Sequence, residues 1–283
     1  MHKEQLKKRE NPFSKVVSVI ILLLGAVIMV FPFVWALSVS LQGPGLAHQT
    51  PPQFFKPPYF FSNYIEAIRK ANMLQYFVNT LVIAVFNIIG SVFSNSFIAF
   101  GFAKYKFRGS QVLFFTVLCT MMLPGNITQI VHYIIWHRLG ALDTYIPLIL
   151  PSFFGTAMRI FLFRQHFLSI PSDLYSAALV DGASPPRIFL QVYLPISKPI
   201  IATVVIQTFI ASWNNLFQSL LYLTSKSKYT ISVGLLYLKG TFETTNTELL
   251  IAASILAMLP TIILFLFAQK KFVEGMVSGA IKG

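Results

Sequence analysis

A chain of 283 residues with 55% hydrophobic and only 11% charged side chains is too apolar for a soluble domain, and its mean hydropathy of +0.68 assigns it to a bilayer. The net charge of +13 and the pI near 9.9 suit anionic lipid head groups and not nucleic acid, because the basic residues are spread between apolar runs instead of gathering on one aromatic-laced stripe. A single cysteine, Cys119, excludes an internal disulfide and a CxxC metal site.

In chain order, a basic segment over residues 1–15 leads into an apolar run at 16–41. That run is too long for a signal-peptide core and lacks a small-residue cleavage site after it, so it is expected to remain as an anchor. Further runs near the roughly 20 residues needed to cross a bilayer lie at 76–100, 112–135, 145–163, 200–223 and 249–268. The expectation is an all-α, multi-pass membrane protein of six spans: a segment at 1–15, a transmembrane domain at 16–269 and a tail at 270–283. Pro124, Gly125 and Asn126 interrupt the third run, and Pro147, Pro151 and Gly155 the fourth. Such breaks either line a water-filled pathway or are kinks packed against neighbours. The loop at 42–74 carries Pro44, Pro51, Pro52, Pro57 and Pro58 with aromatics from Phe54 to Phe61. Those rings fit an interfacial belt and a docking face equally well. Most Lys and Arg, among them Lys3, Lys7, Lys8, Arg9, Arg159, Arg164, Arg187, Lys198, Lys270 and Lys271, fall on segments that share the side of the amino terminus. Positive residues gather inside, so both termini and the loop at 171–199 are expected in the cytoplasm.

That loop, PSDLYSAALVDGASPPRIFLQVYLPISKP, is the most heavily punctuated stretch of the chain. Ser172 and Asp173 can cap a short helix containing Ala177 and Ala178, and Gly182 can end it where φ must be positive. Ser184 and Pro185 read as the cap and first residue of a second short helix, which Pro195 is expected to close. An elbow at Asp181, Gly182 and Ala183 joins the two, a rigid surface suited to docking another protein.

These residues resemble the cytoplasmic coupling loop of binding-protein-dependent ABC transporter permeases, whose pattern is EAA, three residues, G and a proline-ended helix. Ala177, Ala178, Asp181, Gly182, Ala183, Phe189, Leu194, Pro195 and Pro199 fall on it, whereas Ser176 stands where the family usually has Glu. The runs SWNNLF at 212–217 and KKFVEGMVSGAIKG at 270–283 resemble the maltose-type carbohydrate permeases. The resemblance implies the ABC type I importer (MetI-like) fold in a bacterial cytoplasmic membrane. Its partners would be a homologous second permease, an ATP-binding cassette ATPase dimer, an extracytoplasmic solute-binding protein and membrane lipid. Ser176, Ala177, Ala178, Asp181, Gly182, Ala183, Phe189 and Pro195 would couple to the ATPase, and Glu274, Gly275, Ser278 and Gly279 would run along it. ATP and Mg would be used by that partner, with no cofactor on this chain. The cargo it implies is a sugar, in particular an oligosaccharide. A glycerol phosphate or polyol is the alternative within the same architecture, and a self-contained channel or carrier the alternative outside it.

Reactive motifs are missing. No GxxxxGK[ST] phosphate cradle, HExxH pair or GxSxG elbow occurs, so no catalytic or metal residue is assigned. His132 and His137 are five apart, on different helix faces. No acid or base sits deep in the second, fifth or sixth span, which favours a neutral cargo over a phosphate. Amides and hydroxyls do occur there: Asn79, Asn87, Ser91, Ser94 and Asn95 in the second span, Asn126 and Gln129 in the third, and Gln207, Ser212, Asn214, Asn215 and Gln218 in the fifth. Asn126, Gln207, Asn214, Asn215 and Gln218 could offer paired donors and acceptors to sugar hydroxyls, and Trp213 a flat face for a ring. Bonds between helices use the same amides. Gln207, Asn214 and Gln218 would share one face of a continuous fifth helix.

Overall fold

The computed structural model describes residues 12–70, 72–242 and 246–280, and every regular element among them is helical. In chain order the α-helices are α1 (Pro12–Ser40), α2 (Ser62–Lys70), α3 (Met73–Lys104), α4 (Ser110–Cys119), α5 (Gly125–Arg138), α6 (Ile146–Ile149), α7 (Ala157–Ser169), α8 (Ser172–Val180), α9 (Pro185–Ile188), α10 (Leu194–Ile196), α11 (Lys198–Trp213), α12 (Leu216–Tyr222), α13 (Ile231–Phe242) and α14 (Thr247–Ala280). Among the described residues four helical stretches are long and apolar enough to cross a membrane: Lys15–Ser40, Met73–Lys104, Ile146–Ser169 and Thr247–Phe267. Two bent pairs add to them, Ser110–Met122 with Ile127–Arg138 at 100° and Pro185–Ile196 with Lys198–Trp213 at 80°. The third span therefore breaks where Pro124 and Gly125 predict. The fifth is not the single helix expected at 200–223. It ends at Trp213, restarts at Leu216 and bends sharply into the segment before Lys198. Through residue 270 α14 continues without interruption.

The chain divides into two compact units, one of Met1–Arg69 with Lys239–Leu256, the other of Lys70–Leu238 with Ala257–Gly283. In the first, the loop after α1 folds back on the end of that helix. Asn63 Nδ2 donates to Ser40 O and Gln42 O at 2.9 Å each, Ser38 Oγ accepts from Phe55 N at 2.8 Å, and Phe54 sets its ring edge-on to Trp35 at 4.7 Å. Phe55, Tyr59 and Phe61 stay exposed, as do most apolar side chains of α1. The Ala47 amide donates to Glu248 Oε1 at 2.8 Å, at the start of α14.

In the second unit α3 lies at the centre. Residue numbers rise together along α3 and the segment from α6 to α7: Gly90 faces Ser152 and Phe153, Asn95 meets Thr156, and Arg164 Nε donates to Phe102 O at 3.4 Å. The two are parallel. Against α11 the numbers run oppositely, Ser91 meeting Thr208 and Asn87 meeting Ser212, so that pair is antiparallel. A Cβ at Gly90 would lie 2.6 Å from Ser152 Oγ, which is why glycine stands at the closest approach. Lipid tails give no hydrophobic drive between helices, so buried polar pairs and close packing must hold them together. The stripe Asn87, Ser91, Asn95 provides the pairs: Asn87 Nδ2 donates to Ser212 Oγ at 3.0 Å, and Asn95 Oδ1 accepts the Thr156 amide at 2.7 Å just after the break at Gly155. Asn79 Nδ2 donates to the Ser227 and Tyr229 carbonyls at 2.9 and 3.0 Å, and Thr80 Oγ1 accepts the Ile231 amide at 2.8 Å. These second-span amides are interhelical fasteners.

A staple closes the end of this unit nearest α12. Asp143, in the left-handed region at φ 56°, accepts from Thr224 N at 3.0 Å, Ser225 N at 2.9 Å, Ser225 Oγ at 2.6 Å and Lys228 Nζ at 3.0 Å. The Ser225 hydrogen bonds, with those of Lys228 and Thr224, hold its carboxyl well below the usual carboxylate range. A depressed folded pKa contributes stability that is complete above the unfolded value of about 3.9 and is lost as pH falls through the folded one. Asp143→Asn is expected to cost about 1 kcal/mol at neutral pH, since the staple is partly exposed. Thermal unfolding in detergent should show the gap from wild type closing only below about pH 4. A gap independent of pH would contradict the ionised staple.

Candidate functional site

The polar loop folds as two short helices around a glycine, as its punctuation predicts, with two corrections. Pro171 occupies the N-cap position of α8, so Ser172 and Asp173 open the first turn instead of capping it. Asp173 there complements the helix dipole. At the far end Gly182 takes φ 78°; its amide donates to Leu179 O and the Ala183 amide to Ala178 O, each at 3.0 Å. This pair of bonds is a Schellman closure, and it requires a residue without a Cβ penalty at positive φ. Ser184 then precedes Pro185 at the start of α9, without a side-chain cap bond. The second correction concerns Pro195, which does not end the helix. A π turn over Phe189–Tyr193 carries the chain into α10, the Leu194 amide reaching back to Phe189 O. Proline has no amide to donate and its ring would crowd the Gln191 carbonyl, so the widened turn absorbs it inside the helix. The helix stops at Ser197, whose Oγ donates to Tyr193 O at 2.6 Å beside the 80° bend into α11.

The two sides of this elbow differ. Val180 is 87% exposed at the tip, with Ser176, Ala177, Asp181, Leu174, Leu179 and Leu190 also exposed. Ser176 Oγ turns back on the Ser172 carbonyl at 3.4 Å. The root is buried: Ile188, Phe189 and Tyr193 are at most 1% exposed. Phe100 of α3 sits within 5.1 to 6.2 Å of the rings of Tyr193, Phe189, Phe167 and Tyr175. Phe97 adds an edge contact to Phe189 at 5.6 Å, and Phe167 one to Tyr193 at 5.6 Å. Phe189 thus faces inward as the elbow's anchor, while Ala178 and Ala183 pack against the same cluster. Lys104 lies over the Tyr193 ring at 4.9 Å. Phe100, Tyr175 and Tyr193 were not singled out from the sequence, where nothing marks a ring as touching another ring ninety residues away.

The pathway candidates are spread differently from expectation. Trp213 is 3% exposed; its indole donates to Ala257 O at 2.9 Å, Phe209 stacks on it at 5.2 Å and Phe77 meets it edge-on at 5.2 Å. It packs the core and presents no open face. Asn214, Asn215 and Gln218 come together at the break after α11, not along one helix face with Gln207. Asn214 Nδ2 donates to Ile210 O at 3.0 Å, Asn215 Oδ1 accepts the Gln218 amide at 3.3 Å, and Asn215 Nδ2 donates to Gln218 Oε1 at 2.9 Å. Ser232 Oγ donates to Trp213 O at 2.8 Å, which satisfies the last carbonyl before the break. Gln207 is half-buried two turns earlier on α11. Asn126 lies in the first turn of α5, and its side chain is outside the described residues. The backbone at Glu274, Gly275, Ser278 and Gly279 is helical, and their side chains are likewise outside the described residues. Arg159, counted among the basic residues of an inner segment, stands within the fourth span.

The family model for binding-protein-dependent transport system inner membrane components matches residues 11–277. The chain belongs to this family. Among curated relatives, this permease is 34% identical to the arabinooligosaccharides transport system permease AraQ of Bacillus subtilis over 79% of each chain. It is 29% identical to the sn-glycerol-3-phosphate transport permease UgpE of Brucella suis over 95% of this chain and 98% of that one. Among solved structures, a chain of a bacterial ABC transporter involved in import of the acidic polysaccharide alginate superimposes with a TM-score of 0.81 at 25% identity, over 95% of this permease and 99% of its own length. A β-branched side chain at Gly182 would be forced into the left-handed region at a cost of about 1–2 kcal/mol. Gly182→Val is expected to cut solute uptake at least about tenfold with normal membrane insertion, whereas Gly182→Asn, which tolerates that region, should retain most uptake. Equal uptake by the two variants, measured in vesicles at matched membrane levels, would contradict the Schellman elbow.

Proposed function

We propose that this permease carries a carbohydrate inward across a bacterial cytoplasmic membrane, paired with a second, homologous permease and driven by a separate ATPase dimer. The observation that carries the reading is the elbow: an exposed tip at Leu174, Ser176, Ala177, Leu179 and Val180 joined to a root buried among α3, α7 and α9. A push on such a tip moves the helices it is rooted in, which is what an external motor needs from a transport subunit. Family membership and the similarity to AraQ and to an alginate importer chain support a sugar, in particular an oligosaccharide.

In this reading Ser176, Ala177, Asp181 and Gly182 form the exposed seat for the ATPase, Ala178 and Ala183 back it against the ring cluster, and Phe189 and Pro195 hold that seat to the body. The ATPase supplies the ATP and Mg chemistry, in keeping with the lack of a phosphate cradle in this chain. An extracytoplasmic solute-binding protein delivers the cargo. The distribution of Lys and Arg favours both termini and the elbow on the cytoplasmic side. Asn214, Asn215 and Gln218, gathered at a break in the fifth span, remain the cargo-facing candidates, together with Gln207 and Asn126. Glu274, Gly275, Ser278 and Gly279 would extend α14 toward the ATPase. A glycerol phosphate is the second reading, favoured by the similarity to UgpE.

Reconstitution in proteoliposomes with the second permease, the ATPase and the binding protein tests this. Ligand-loaded binding protein should stimulate ATP hydrolysis, and sugar should accumulate only with ATP present. Sugar flux through the purified chain alone, without nucleotide, would contradict it.

A further inference from the structure

Arg159 sits ten residues before the end of the Ile146–Ser169 span. At about 1.5 Å per residue it lies roughly 7.5 Å further into the span than Arg164, whose Nε reaches Phe102 O near the end of α3. It is half-buried, and among the described residues it makes no hydrogen bond or ion pair. Its neighbours near the elbow are occupied: Arg164 donates to Phe102 O and covers the Phe114 ring at 4.2 Å, and Lys104 covers Tyr193. One turn before Arg159 the polar pair Thr156 and Asn95 breaks the apolar surface. Seven residues after it, on the same face of α7, His166 keeps a buried Nε2 without a hydrogen-bond partner. A fixed positive charge inside a span, bordered by polar groups and without a partner among the described residues, is the mark of a solute pathway.

We propose that Arg159 receives an anionic group of the cargo, so that the carbohydrate carried is acidic, bearing a carboxylate or a phosphate ester. This rests on the importer reading above. The guanidinium fork matches either group with two parallel hydrogen bonds and keeps its charge at any working pH. It also reverses the expectation of a neutral cargo, which rested on the second, fifth and sixth spans while the charge stands in the fourth. Two proteins that this chain resembles are named for anionic solutes, sn-glycerol-3-phosphate and the acidic polysaccharide alginate.

The test uses the full importer in proteoliposomes with three probes: an oligogalacturonide for the carboxylate, glycerol 3-phosphate for the phosphate and arabinotriose as the neutral control. ATP-driven uptake of one anionic probe is expected, falling about tenfold or more in Arg159→Gln and recovering partly in Arg159→Lys, with the complex purified at wild-type yield. Uptake of arabinotriose alone by the wild type would overturn the inference and leave the importer reading standing. So would an Arg159→Gln variant that fails to assemble or loses all cargoes equally, since Arg159 would then pair with the second permease. ATP-independent uptake of every probe would instead overturn the importer reading itself, and the inference with it.

Discussion

The ring of Phe100 is the contact on which the second unit's mechanics depend. It comes from the last turns of α3 and touches Tyr175 of α8, Phe189 and Tyr193 of the π turn, and Phe167 of α7. Each tilted or edge-on pair adds about 0.5–1.5 kcal/mol beyond the area it buries. Their joint effect matters more than the sum, because the five rings belong to four separate helical segments. None of these segments can shift alone without opening the cluster, and close-packed interiors resist such openings.

Along α3 the holding force changes character. Near the elbow it is aromatic, and toward the middle it becomes polar, through Asn95 to the Thr156 amide, Ser91 to Thr208 and Asn87 to Ser212. At the far end Thr80 and Asn79 take up backbone groups around Tyr229 and Ile231. Backbone exposed by a broken helix is tolerated in a bilayer only when it is satisfied by protein or water. The breaks at Gly155 and after Trp213 meet that condition with Asn95 Oδ1 and Ser232 Oγ respectively. The polar groups that sequence reasoning offered to a sugar are therefore divided: some make the breaks possible, and others stand beside them.

Signals within a few residues of one another were legible. Gly182 had to take positive φ because a capped helix ended there, Pro185 had to open the next, and Pro124 and Gly125 had to break the third span. The family could be recognised for the same reason, since its motif is a local one. What depends on residues distant in sequence was not legible. Trp213 looked like an open platform until Phe77, Phe209 and Ala257 closed around it. Pro195 reads as a stop in the sequence, but the π turn at Phe189–Tyr193 just before it gives its ring room. By sequence Arg159 groups with the cytoplasmic charges, because charge alone does not show whether a residue lies inside a helix; the helix that continues to Ser169 places it within the fourth span.

The central claim is that the elbow and the α3 bundle move as one body. Spin labels at Val180→Cys and Leu81→Cys, in a Cys119→Ser background, report one interval inside the second unit by pulsed electron resonance. The account predicts that in the assembled importer this interval changes by less than the length of one helical turn, about 5 Å, between nucleotide-free and ATP-bound states. A larger change between those states would contradict it, for the elbow would then swing on its root instead of carrying the spans with it.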